Sequence, residues 1–310
     1  MTLAAPSLLP QGPAASAAVI ARTGPRFAPA RLSPPAVQAT LSYLSPTHER
    51  PYNYAYEPPP GAAWENYRAD ARPVWIRDAR ALGAAPLVDR EGFALWDAPS
   101  SLGDPEDFAD AALVTERYYP EVAELARAAT GAPHAYVFDH LVRRRDAQAG
   151  PLGFGRPGRG QPAGANGRVH NDYTETSGRR RLRLVLGEAA AVGVGRYAIV
   201  NVWRSLSGPV LDTPLALCDA RSVDAADLVG ADVRYPNRTG DIYLMLHSPR
   251  HRWFHFSAMD RHEALVFKQY DSSISGVARF TPHAAFDHPE APPDAPPRVS
   301  IEARCLVIYD

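Results

Sequence analysis

Gly167-Arg168-Val169-His170-Asn171-Asp172-Tyr173-Thr174 closes a Gly-rich run and stands ahead of a long series of strand-like segments. In extended backbone, side chains two residues apart point the same way, so His170 and Asp172 present an imidazole and a carboxylate to one side. A second imidazole arriving from elsewhere would complete a three-donor face for a metal ion and leave its other positions open. The pair alone is a weak signal. The 310 residues include 10 His and 34 acidic residues, and the same spacing recurs at His288-Pro289-Glu290. That second pair lies among Pro289, Pro292, Pro293, Pro296 and Pro297, where no strand holds it rigid, and it reads as a decoy.

Downstream of the motif, strand-like runs follow at Tyr197–Arg204, Pro214–Cys218, Ile242–Leu246, Trp253–Phe256, Ala264–Lys268, Ala278–Thr281 and Ser300–Tyr309. β-Branched and aromatic runs of this length, separated by Pro, Gly, Asp and Asn, predict a sandwich or barrel. Upstream, Asp104-Pro105-Glu106-Asp107 carries the signature of a helix start, and a second helix runs from Pro120 to a stop at Gly131. Short strands are expected at Pro73–Ala79, Phe93–Trp96 and Ala135–His140, and Tyr52, Tyr54 and Tyr56 would share one face if extended. Helices are thus expected in the first half only, and a β core in the second: an α+β chain.

The organisation follows from composition along the chain. Residues 1–36 are Ala/Pro-rich and read as a flexible arm. Residues 37–310 read as one domain, with a helical and short-strand flank (37–145), a Gly-rich loop (146–167) and a β core (168–310). No Gly-Lys-Ser/Thr follows the Gly-rich run, so it reads as a mobile loop beside the site rather than a phosphate cradle. Arg143-Arg144-Arg145 reads as a solvated surface run, with contact to an acidic substrate the minority reading.

Overall charge narrows the partners. A net charge of -1 gives no reason to expect nucleic acid or an anionic membrane. No apolar run is long enough to span a bilayer, and the N-terminus, broken by Pro6, Pro10 and Pro13, is a poor signal peptide. A cytoplasmic location is expected. The two Cys, Cys218 and Cys305, lie in apolar runs and read as buried thiols.

For the third metal donor, His283 follows a strand-like segment and precedes the last long strand; His251 is its rival. On that last strand, Arg298-Val299-Ser300 offers a guanidinium fork and a hydroxyl on one face, suited to gripping a carboxylate. Arg304 shares the face by period two and is the rival clamp. Tyr173, Asn201, Trp203 and Arg204 are candidates for the pocket wall, with core packing or support of the metal donors the other reading of each. Two His and one carboxylate suit non-haem Fe(II). The same donors suit a zinc hydrolase, which would leave Arg298 and Ser300 without a purpose.

The order His-x-Asp, strands, a lone His, then Arg-x-Ser resembles the Fe(II)/2-oxoglutarate-dependent oxygenases. Among these, the chain is similar to the hydroxylase/desaturase family that includes the cephamycin 7α-methoxylation oxygenase, the fungal gibberellin desaturase and the aziridine-forming oxygenase. The stretches that carry the resemblance span about residues 40 to 310. They are Tyr52-Asn-Tyr-Ala-Tyr56, Tyr118-Tyr-Pro-Glu121, Val137-Phe-Asp-His140, His170-Asn-Asp-Tyr-Thr174, Asn201-Val-Trp-Arg204, Pro214-Leu-Ala-Leu-Cys-Asp219, His251-Arg-Trp253, Glu263-Ala-Leu-Val-Phe-Lys268, Thr281-Pro-His-Ala-Ala-Phe286 and Pro297-Arg-Val-Ser-Ile-Glu302.

The resemblance implies a double-stranded β-helix (jelly-roll or cupin-like) core. It implies His170, Asp172 and His283 as iron ligands, with His251 the rival, and Arg298, supported by Ser300, as the 2-oxoglutarate clamp. It further implies Fe(II), 2-oxoglutarate and O2 acting on an unactivated C–H of a small natural-product or amino-acid-derived substrate. Hydroxylation, desaturation and oxidative ring closure would all yield CO2 and succinate. The other reading kept open is an accessory barrel serving a partner biosynthetic enzyme.

Overall fold

The computed structural model describes residues 35–146, 152–155 and 163–310. Almost all of the expected arm (1–36), and positions 147–151 and 156–162 of the Gly-rich run, lie outside the described residues. In chain order the strands are β1 (Ala36–Leu44), β2 (Tyr52–Tyr54), β3 (Ala69–Asp78), β4 (Phe93–Asp97), β5 (His134–Arg144), β6 (His170–Asn171) and β7 (Tyr197–Ser205). They continue with β8 (Leu215–Cys218), β9 (Leu228–Arg234), β10 (Thr239–Met245), β11 (Trp253–His255), β12 (Glu263–Asp271), β13 (His283–Ala285) and β14 (Val299–Ile308).

Two sheets face each other. The larger runs β1-β3-β11-β8-β13-β6-β10-β9-β2, parallel only at β3–β11 and β9–β2; the smaller, β4-β12-β7-β14-β5, is antiparallel throughout. Period-two alternation divides the smaller sheet's side chains between two cores. Phe93, Leu95, Trp203, Leu265 and Phe267 point inward to meet Leu215, Leu217 and Phe254 of the larger sheet. Ala198, Val200, Val202, Ala264, Val266, Ile301, Ala303 and Val307 point outward beneath helix α1 (Tyr119–Thr130), which covers them with Val122, Leu125 and Ala126. With both faces covered, β7 and β12 are buried at every position, so apolar residues fall on both faces of each strand instead of alternating with solvent-facing polar ones. The result is an α+β fold with a double-stranded β-helix core. Among the described residues, no helix is long and apolar enough to cross a membrane.

Several expectations need correction. Helices are not confined to the first half: α2 (Glu175–Leu186) starts directly after the His170 motif. Thr174 caps it through a reciprocal pair, its side chain accepting from the Ser177 amide (3.1 Å) while Ser177 Oγ accepts from the Thr174 amide (2.8 Å). The Arg-rich middle of this helix hides its apolar stripe. Asp104 does cap a helix, but a short 3-10 turn (Pro105–Ala109). The expected strand at Ala278–Thr281 is irregular backbone, and the strand begins at His283 itself. Strand β9 was not expected at all. α1 ends as predicted, on Gly131 at φ 73, a left-handed conformation that glycine adopts without strain. Tyr52, Tyr54 and Tyr56 form a row of edge-to-face rings, with Arg234 lying over Tyr52.

Helix α2 lies on the barrel through Gly178, where an added Cβ would stand 2.8 Å from the ring of buried Tyr270. An interior helical glycine replaced by alanine ordinarily gains about 0.5–1 kcal/mol. Here the clash outweighs that gain, and Gly178→Ala should destabilise by about 1–3 kcal/mol in urea unfolding. A more stable variant would contradict this packing.

Candidate active site

β13 runs antiparallel to β6 so that His283 stands directly opposite His170, with ring centroids 4.3 Å apart. Asp172 Oδ1 is 3.4 Å from His170 Nε2. One donor atom from each of His170, Asp172 and His283 lies within 4.8 Å of the others, and among the described residues this is the one cluster of its kind able to hold a metal ion.

Backbone carbonyls orient both rings. His170 Nδ1 is 2.8 Å from the carbonyl oxygen of Arg168, and His283 Nδ1 is 3.2 Å from that of Thr281. An Nδ1–H donating to the carbonyl two residues back in each ring would leave Nε2 as the nitrogen that offers a lone pair to a metal. Burial, and then the neighbouring His170, push His283 down to about 3, so its ring stays neutral.

Asp172 is held from three sides. Its Oδ2 accepts from Asn201 Nδ2 (2.9 Å) and Arg304 Nε (3.1 Å), which leaves Oδ1 to act as a single-oxygen donor. Its backbone amide donates to Gln269 Oε1 at 2.8 Å. Burial works to raise the Asp172 carboxyl, but the Arg304 guanidinium, the largest opposing charge, holds it well below the usual carboxylate range.

The inner row at the start of β14 alternates with core residues and runs Arg298, Ser300, Glu302, Arg304. Arg298 is only 2% exposed, lies over the Trp203 ring and donates from one guanidinium nitrogen to the carbonyl of Thr213 (2.7 Å). Among the described residues, its Nε and the Ser300 Oγ are buried without a partner. Burial, with Arg143 nearby, pushes the Arg298 guanidinium down to about 10. A buried cation and hydroxyl that lack an acid fit an incoming carboxylate.

Arg304 is placed differently. Its three nitrogens go to Asp172 (3.1 Å), Asp139 (3.0 Å) and Glu302 (2.8 Å), so it struts the Asp172 carboxylate and has none to spare for a clamp.

The remaining sequence candidates separate by strand parity. Asn201 and Trp203 face inward, whereas Arg204, one residue on, faces the α1 side. There Arg204 reaches Tyr118 and the carbonyl of Arg261, so it does not line the site. Tyr173 is buried edge-on against Phe138. His251 is engaged elsewhere, stacked on Tyr43 with Nε2 3.1 Å from Asp227 Oδ2. His288 packs on His255 and Phe286, and its Nδ1 accepts from the Glu290 amide, so this pair forms no donor cluster.

Three supporting residues escaped the sequence reading. Asn171 faces away from the cluster and ties the motif to its neighbours through the carbonyls of Tyr173 and Gln269 and the amide of Thr281. Asn166 lies beside the His170 ring. Gln269 sits at a bulge where the β12 register shifts between Lys268 and Tyr270, and bulges of this kind re-aim side chains beside active sites. A polar residue inside a run buried at every position was the one available hint.

A family model described as "Oxidoreductase/YMDC permease-like domain" matches residues 41–308. The "Fe(II)/2-oxoglutarate-dependent dioxygenase nvfI" of Aspergillus novofumigatus is 32% identical over 259 residues, covering 82% of this chain and 89% of the relative. The "Hydroxylase/desaturase efuI" of Hormonema carpetanum is 30% identical over 302 residues, covering 87% and 98%. The chain belongs to the Fe(II)/2-oxoglutarate-dependent hydroxylase/desaturase family.

This oxygenase also shares its fold with the solved iron and alpha-ketoglutarate-dependent endoperoxidase NvfI, at a TM-score of 0.75 and 27% identity over 88% of this chain and 98% of that one. It is an oxidoreductase that uses Fe(II), 2-oxoglutarate and O2 on a small-molecule substrate. The oxygenase has the donors this chemistry needs: two imidazoles and a carboxylate on one side and, among the described residues, a buried guanidinium without an ion pair on the inner row of β14.

Proposed function

We propose that His170, Asp172 and His283 hold the Fe(II), that Arg298 and Ser300 grip the far carboxylate of 2-oxoglutarate, and that the substrate is a small natural product. The observation that carries the reading is the pair of orphaned polar groups, Arg298 Nε and Ser300 Oγ, in a barrel interior that also holds a three-donor cluster. Bound there, Fe(II) supplies the O2 chemistry that couples loss of CO2 from 2-oxoglutarate to oxidation of a substrate C–H bond.

The chain's own residues do the positioning. Asn201 and Arg304 occupy Oδ2 of Asp172, which supports coordination through one oxygen and leaves room for the keto acid. The carbonyls of Arg168 and Thr281 fix the imidazole tautomers. Tyr173, Asn201 and Trp203 are the proposed pocket wall. Relatives named for hydroxylation, desaturation and the biosynthesis of aspirochlorine support a natural-product substrate. A donor set complete within one chain supports a catalyst that needs no partner enzyme. Residues 37–310 are read as a single catalytic unit, supported by β1, β3 and β4 of the first third pairing into the two sheets.

Arg298→Ala tests the clamp. A buried charge-assisted contact costs about 2–4 kcal/mol to lose, so the Kd for 2-oxoglutarate should rise roughly 30- to 1,000-fold. Affinity for the metal should stay within about twofold, because Arg298 touches no member of the cluster. Unchanged 2-oxoglutarate binding would remove Arg298 from the reading.

A further inference from the structure

Arg143, first of the three arginines expected on the surface, turns inward. β5 pairs with β14 so that Arg143 stands directly opposite Ser300, whose Oγ has no partner. One nitrogen of its guanidinium, Nη1, is anchored by the carbonyl oxygens of Gly164 (2.9 Å) and Gly155 (3.4 Å). That anchoring fixes the plane of the fork, while among the described residues Nε and Nη2 have no hydrogen-bond partner.

The charges around it do not balance. On the neighbouring inner row, Arg304 is matched by three carboxylates. Among the described residues, neither Arg143 nor Arg298 forms an ion pair, and after burial Arg143 is the neighbouring charge that most depresses Arg298. Arg143 is half-buried and has Glu302 as its main acidic neighbour, but Glu302 is already bonded to Arg304, so two guanidiniums without an ion pair of their own leave an attraction for an anion that enters between them.

We propose that Arg143 is a second cationic contact for the far carboxylate of 2-oxoglutarate, so that Arg298, Ser300 and Arg143 enclose that group from two neighbouring strands. This inference rests on the reading of Arg298 and Ser300 given above. It makes Arg143 a determinant of cosubstrate choice: two guanidiniums select a dicarboxylate over a 2-oxo acid that ends in a methyl group.

The test is calorimetric titration of the Ni(II)-loaded full chain with 2-oxoglutarate and with 2-oxopentanoate, which lacks the far carboxylate. In Arg143→Gln, 2-oxoglutarate should bind about 10- to 100-fold more weakly, with Ni(II) affinity and melting temperature near those of the parent. Arg143→Lys should recover part of the loss, and 2-oxopentanoate binding should hardly differ between parent and Arg143→Gln. Loss of 2-oxoglutarate binding in Arg298→Ala but not in Arg143→Gln would overturn this inference and leave the clamp reading standing. Equal weakening of both ligands in Arg143→Gln would overturn it too. A parent protein that fails to bind 2-oxoglutarate would instead sink the clamp reading itself.

Discussion

Asp172→Ala is expected to abolish succinate formation while the barrel stays folded. The change removes the one oxygen donor of the cluster and leaves His170 and His283 as a bare pair of imidazoles. Loss of a group that merely supports a metal ligand typically costs 10- to 100-fold in metal affinity, so loss of the ligand itself should cost more than about 100-fold. Folding should survive for local reasons. Arg304 keeps Glu302 and Asp139, and the backbone contact from residue 172 to Gln269 does not involve the deleted side chain.

A pH signature accompanies this change. The Asp172 carboxyl is held lower in the folded chain than in the unfolded one, so its contribution to stability is present above the unfolded value and is lost as pH falls through the folded one. In the metal-free protein, the loss of stability below about pH 4 should therefore be shallower in Asp172→Ala than in the parent. A variant that retained more than about a tenth of the parent's succinate formation would contradict the assignment.

The largest expected loss of stability lies away from the cluster. Arg80, from the first third of the chain, meets Glu263 at the start of β12 through two parallel contacts of 2.9 and 2.6 Å, with side chains only 2% and 11% exposed. Arg80 Nε also donates to the carbonyl of Ser257. Removing one partner of such a pair leaves the other charge buried and unmatched, so Arg80→Ala should cost about 3–5 kcal/mol in urea unfolding. Replacing both residues by apolar side chains of similar volume should recover most of it. Arg144, whose contact with Glu106 spans 3.9 Å between side chains 52% and 77% exposed, provides the contrast: Arg144→Ala should fall within about 0.5 kcal/mol of the parent. An Arg80→Ala loss no larger than that would show the buried pair to be dispensable.

Much of this was legible because period-two alternation is a local rule. It puts His170 beside Asp172, and Arg298, Ser300 and Arg304 on one face. The same rule, applied strictly, would have sent Arg204 away from Asn201 and Trp203. What local rules do not contain is register. His283 rather than His251 joins the cluster because β13 pairs with β6 at His170, a contact between residues more than a hundred positions apart. Arg304 and Arg298 are equivalent by parity, and only the positions of Asp172, Asp139 and Glu302 separate the matched guanidinium from the unmatched one. Arg143 looked like surface because its neighbours in sequence are charged, although its neighbour across the sheet is Ser300. Gln269 was hidden by a bulge, which breaks the alternation that a strand otherwise obeys.

The most direct measurement is anaerobic titration of the purified chain with Fe(II) and 2-oxoglutarate, following the visible charge-transfer absorption of an iron-chelated 2-oxo acid. The parent and His251→Ala should develop the band with one equivalent of each, and Asp172→Ala and His283→Ala should not. A band that survives in His283→Ala and vanishes in His251→Ala, or a parent that develops no band with Fe(II) and 2-oxoglutarate, would contradict the proposed centre.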